Sequence, residues 1–148
     1  MGLDFTLYEI KDYDWANCQE KFNVEKVLYL SNQNAMLVVE WLYRNHIREI
    51  NVKGGECYMF FQVTSDELRA LVANIDCVLG ESDSVRRDVL AAYYFPVKYT
   101  ILDYISSVEM FSEEYYYCLD YIRDKLSSVL NSSTSFKDTQ MFVYNIEW

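Results

Sequence analysis

His46 is the single histidine of the 148-residue chain, so any serine or cysteine nucleophile that relies on an imidazole base would have to use it. It follows Arg44 and Asn45 near an expected helix end, where a cation suits the helix dipole; that reading is favoured over a general base. There is no nucleophile elbow, phosphate loop or dinucleotide fingerprint, because the Gly54-Gly55 pair lacks the further glycine spacing that these need. The four cysteines, Cys18, Cys57, Cys77 and Cys118, form no C-x-x-C pair and read as buried free thiols of a reducing compartment. Metal chemistry would have to rest on carboxylates alone, such as Glu113 and Asp120 on one helix face, and such carboxylates are common on solvated helices. The expectation is a non-enzymatic protein with no catalytic residue, metal or cofactor.

Recognition chemistry is better represented. Glu113, Tyr117, Asp120 and Asp124 follow one another at steps of four, three and four residues, which places them on one helical face. Tyr116 borders that face, and Glu109 and Glu114 lie close in sequence. Carboxylates steer a basic protein partner and tyrosines supply contact area at low entropic cost; acidic spacing of this kind can also imitate a phosphate backbone. A solvated outer face with tyrosines at its margin accounts for the same pattern. An alternative function class is a small-ligand protein that sequesters a nucleotide-type signal, with tyrosines stacking on the base and Arg86, Arg87 or Lys98 meeting phosphate.

The totals bound these choices. Twenty-three acidic against 13 basic residues give a net charge of −10, which argues against direct nucleic-acid binding and against anionic membrane surfaces. The charge permits attraction to a basic partner and also serves solubility. With 51% hydrophobic and 17% aromatic residues the chain can bury a core, and its length predicts one globular domain over 1–148. No run approaches the ~20 apolar residues of a membrane span, and the early Asp4 with no long apolar run predicts no signal peptide, hence a cytoplasmic setting.

The elements that must position these residues can be read in part. Gly2 to Ile10 alternates as a strand, and Lys11 to Lys26 reads as a polar loop. Ser31 to Asn34 offers caps for a helix over Ala35 to Asn45, with Leu37, Val38, Trp41 and Leu42 inward. Ile47 to Val52 is a candidate short strand running into the Gly54-Gly55 turn, followed by a strand over Cys57 to Val63. Thr64 and Glu67 have capping-box spacing, Leu68, Leu71, Val72, Ile75 and Leu79 form an apolar helical face, and Gly80 is a fitting stop. Ser84 can cap a short helix carrying Arg86 and Arg87 that Pro96 ends near Tyr94 and Phe95, and Val97 to Ile105 is a candidate strand. Ser112 caps a long helix to about Leu130 with Tyr115, Leu119, Ile122, Leu126 and Val129 as its apolar stripe. Met141 to Trp148 closes the chain as a strand. The mixture predicts an α+β fold: a mostly antiparallel sheet, two or three helices packed on one face, and the first strand paired with the last.

The opening Met1-Gly2-Leu3-Asp4 with Thr6-Leu7-Tyr8 resembles a family of small phage and bacterial proteins that begin MGLDmyLy. Similar features follow in order: Tyr29 to Trp41 with Asn34, then Val63-Thr64-Ser65-Asp66-Glu67-Leu68 entering a helix, the Tyr-rich acidic stretch from Phe111 to Leu130, and terminal Trp148. The chain departs from the family where a Trp-Arg-Lys segment is replaced by Leu30-Ser31-Asn32, where Leu37 stands near the place of a helix histidine, and in lacking a Gln/Ser/Gly/Phe loop before the last helix. The resemblance implies a fold and a phage or mobile-element setting, not a reaction.

Overall fold

A computed structural model describes residues 3–10, 24–45, 49–50, 60–97, 109–132 and 141–147. Within them lie strands β1 (Asp4–Ile10), β2 (Val24–Ser31), β3 (Glu49–Ile50), β4 (Phe60–Thr64) and β5 (Met141–Glu147). The helices are α1 (Asn32–Asn45), α2 (Ser65–Leu79), α3 (Ser84–Tyr94) and α4 (Glu113–Ser132). The strands form one sheet in the order β2-β1-β5-β4-β3, and every neighbouring pair is antiparallel. The fold class is α+β, as expected, and α3 brings the described helices to four.

The last strand is central in the sheet. β5 pairs with β1 on one side and β4 on the other, so Leu7, Tyr144 and Phe61 stand in one cross-strand row. Leu3, Phe5 and Leu7 alternate with half-buried Asp4, Thr6 and Tyr8, so one side of β1 is apolar up to Leu7 and then carries the buried Glu9. That side continues through Leu28, Leu30, Phe61, Val63, Phe142 and Tyr144 and meets the inward faces of α1, α2 and α4 in a single core. α3 packs chiefly on α2.

Strand β2 corrects the expectation of a loop through Lys26. Its Val27-Leu28-Tyr29-Leu30 run is apolar on both parities, so alternation is hidden in the sequence; pairing with β1 decides that Leu28 and Leu30 point inward while Tyr29 stays exposed. The strands expected over Ile47 to Val52 and Cys57 to Val63 correspond to the shorter β3 and β4, with their other residues outside the described set. Val97 belongs to no element, and the remainder of the strand expected there lies outside the described residues.

The caps explain where the helices start. Thr64 Oγ1 accepts from the Glu67 amide at 3.2 Å, and Ser112 Oγ accepts from the Tyr115 amide at 3.2 Å, both as predicted. The residue before the second cap, Phe111, has φ 66°, in the left-handed region. At α3 the cap is Asp83 rather than Ser84: its carboxylate accepts from the amides of Val85 at 2.9 Å and Arg86 at 3.1 Å. Asp83→Ala is therefore expected to destabilise the protein by about 1 kcal/mol, and Ser84→Ala by clearly less, as read from urea denaturation midpoints.

Gly80 ends α2, although its φ of −78° is right-handed. Its need for glycine is one of space: a Cβ there would sit 2.8 Å from the Asp76 carbonyl oxygen, which already accepts the Gly80 amide. Pro96 follows α3 as expected, after the Phe95 amide closes the last turn on Ala91 O at 2.7 Å. Of the four cysteines expected to be buried, Cys118 is buried on α4, but Cys77 is exposed because it lies on the side of α2 away from Leu71, Ile75 and Val78; Cys18 and Cys57 lie outside the described residues.

Candidate functional site

α4 positions the acidic and aromatic residues singled out in the sequence. Tyr115, Cys118, Leu119, Ile122 and Leu126 turn into the core, which leaves Glu113, Tyr117, Asp120 and Asp124 on the outer side. Tyr117 is 70% exposed, unusual for so large a ring, and Glu109, Glu113, Glu114 and Asp124 are also exposed. The acidity of this face is tempered by a cation absent from the sequence-based set. Arg123 pairs with Asp120, lies 3.5 Å from Asp124, and reaches Asp76 of α2 at 3.6 Å. Three carboxylates thus share one guanidinium. Tyr121, also missed, is 37% exposed and carries Lys125 Nζ 5.4 Å from its ring centroid.

Tyr116 leaves that face. It is 9% exposed, its hydroxyl donates to the Asp88 carboxylate of α3, and Arg87 lies over its ring at 4.1 Å. Being one turn-edge away from the outer stripe, it is claimed by the neighbouring helix and serves as an α3–α4 clamp instead of a partner contact. Burial, reinforced by the bond to Asp88, raises its hydroxyl pKa to about 12. Next to it Tyr115 donates to Phe95 O at 2.7 Å and is raised further, first by burial and then by its neighbours Tyr116 and Asp88.

The residues proposed to meet phosphate are not gathered into a site. Arg86 is exposed at the start of α3, Arg87 is stacked on Tyr116 with its Nε buried, and Lys98 lies outside the described residues, as does His46.

Two surfaces were not read from the sequence. Val85, Val89 and Tyr93 recur at four-residue steps along α3 and are 71%, 64% and 72% exposed. Near the end of that stripe is a cleft of about 330 Å³, lined by Trp41, Arg44 and Asn45 of α1, Asn74 of α2, and Tyr93 and Tyr94 of α3. Arg44 bridges two of its walls, donating to Tyr94 O at 2.8 Å and, more distantly, to Tyr93 O at 3.5 Å. The stripe had a legible periodicity; the cleft had none, because its residues come from three separate helices.

Among the described residues no group of three or more His, Cys, Asp or Glu side chains is placed to hold a metal ion, and no helix is long and apolar enough to cross a membrane. No family model, curated protein or solved structure matches the chain. Fold and surface together define a small acidic α+β protein with an exposed Tyr/Asp/Glu helix face.

Proposed function

We propose that the chain is a non-enzymatic, cytoplasmic interaction protein that binds and blocks a basic partner through the outer face of α4. The observation that carries this reading is Tyr117, 70% exposed and flanked along its helix by Glu113, Asp120 and Asp124. A ring held in water gains on being covered, and the surrounding carboxylates favour a cationic cover. The net charge of −10 adds long-range attraction. A phage or mobile-element setting, which the opening motif suggests, fits an inhibitor of a host protein that handles nucleic acid, since such proteins carry basic surfaces.

The test is capture by the immobilised protein from host-cell lysate at about 50 mM and about 300 mM salt. A basic protein retained at low salt, lost at high salt, and lost with Tyr117→Ala or with Glu113→Lys plus Asp120→Lys is the expected result. Arg123→Gln removes the cation that tempers Asp76, Asp120 and Asp124, so it is expected to raise retention. Retention indifferent to salt and to all of these substitutions would sink the reading.

A further inference from the structure

The cleft between the ends of α1 and α3 has its own chemistry, independent of the α4 face. Its volume of about 330 Å³ is at the small end of the range for ligand pockets. The Tyr93 ring, 72% exposed, forms an accessible stacking surface, steadied by an edge-to-face contact with Tyr94 at 4.9 Å. Two amides supply hydrogen bonding. Asn45 spends one side-chain N–H on Trp41 O at 2.8 Å and keeps its side-chain carbonyl oxygen; the side chain of Asn74 makes no hydrogen bond among the described residues. An amide with an oxygen and a nitrogen to offer matches the paired donor and acceptor edges of nucleobases.

Charge narrows the class. α1 ends at Asn45 and α3 at Tyr94, so the carbonyl ends of two helices converge on the cleft, each with about half a negative charge, and together they match the single positive charge of Arg44. Arg44 is the one cation among the described lining residues, and it is already directed at the carbonyls of Tyr93 and Tyr94. A phosphate would meet the helix dipoles with no uncommitted cation to balance them.

We infer that this cleft binds an uncharged, planar, hydrogen-bonding heteroaromatic ligand of the nucleoside class. The base lies on Tyr93, and its edge exchanges hydrogen bonds with Asn74 and the Asn45 carbonyl. Arg44 holds the two helix ends apart at the width of the cleft.

The experiment is a titration of the full chain, followed by amide NMR, with adenosine, guanosine, cytidine and uridine and then with their 5′-monophosphates. Saturable shifts of the Asn45 and Asn74 side-chain amides with at least one nucleoside are expected, with the matching monophosphate several-fold weaker. Tyr93→Ala and Asn74→Ala are each expected to weaken binding by about tenfold while leaving the remaining spectrum folded, since neither residue is in the core. Glu113→Lys should leave the titration unchanged, which separates this site from the α4 face. The inference is overturned if no nucleoside shifts these amides at about 5 mM, if the monophosphates bind more tightly, or if both variants bind as the native chain does.

Discussion

Replacing Tyr144 by alanine is expected to cost about 3–5 kcal/mol, enough to unfold a domain of ordinary stability in part or in full. Tyr144 is 1% exposed and sits in the middle strand of the sheet. Its ring lies 5.3 Å from Phe5 of β1 and 5.1 Å from Phe61 of β4, so one side chain joins the two halves of the sheet. Removing it leaves a cavity under three strands at once, and strands held in a ladder have little freedom to collapse into it. Tyr117→Ala, which removes an equally large ring from the surface, is expected to change stability by no more than about 0.5 kcal/mol. Urea unfolding of the two variants decides the matter: similar midpoints would mean that β5 does not hold the sheet together through this ring.

This contrast also shows what could be read from the chain alone. The cap at Thr64, the cap at Ser112 and the inward stripes of α2 and α4 were legible because each is fixed by residues within a few positions of one another. The first strand was legible because Leu3, Phe5 and Leu7 alternate with Asp4 and Thr6, and the last because Tyr144 and Ile146 flank the polar Asn145, although Met141 to Tyr144 is apolar throughout. β2 was not, since Val27 to Leu30 is apolar at every position and only a partner strand assigns the faces. The α4 face was half legible. Glu113, Tyr117, Asp120 and Asp124 do share the outer side, but Tyr116 stands at the margin of the helical wheel, where the answer depends on whether another helix lies alongside. Arg123 was legible as the i,i+3 partner of Asp120, and only its reach to Asp76 of α2, 47 residues earlier (123 − 76), depends on packing. The cleft of Trp41, Arg44, Asn74 and Tyr93 exists only after three helices have been packed.

Alkaline pH is expected to destabilise the protein through the two adjacent tyrosines at the start of α4. A tyrosine in the unfolded chain ionises near pH 10.0, whereas Tyr116 in the folded chain does so only at about 12, and Tyr115 is raised in the same direction. The sign follows from proton binding. Above pH 10 the unfolded state releases protons that the folded state keeps, so each rise in pH favours unfolding. The contribution of these phenols is whole below pH 10 and is lost as pH climbs from there through about 12, at about 1.4 kcal/mol per unit for each group. Phenylalanine variants isolate the effect. Near neutral pH, Tyr115→Phe gives up the 2.7 Å bond to Phe95 O and should be less stable than the native chain by about 1 kcal/mol. Because it has no proton to lose, its stability falls less steeply with pH, so the two curves should close and then cross at about pH 11. Tyr116→Phe should behave likewise after losing its bond to Asp88. Urea midpoints taken across this range measure the gap directly. A gap that stays constant with pH would mean that the buried phenols ionise as freely in the folded protein as in the unfolded chain, and that α3 and α4 do not enclose them.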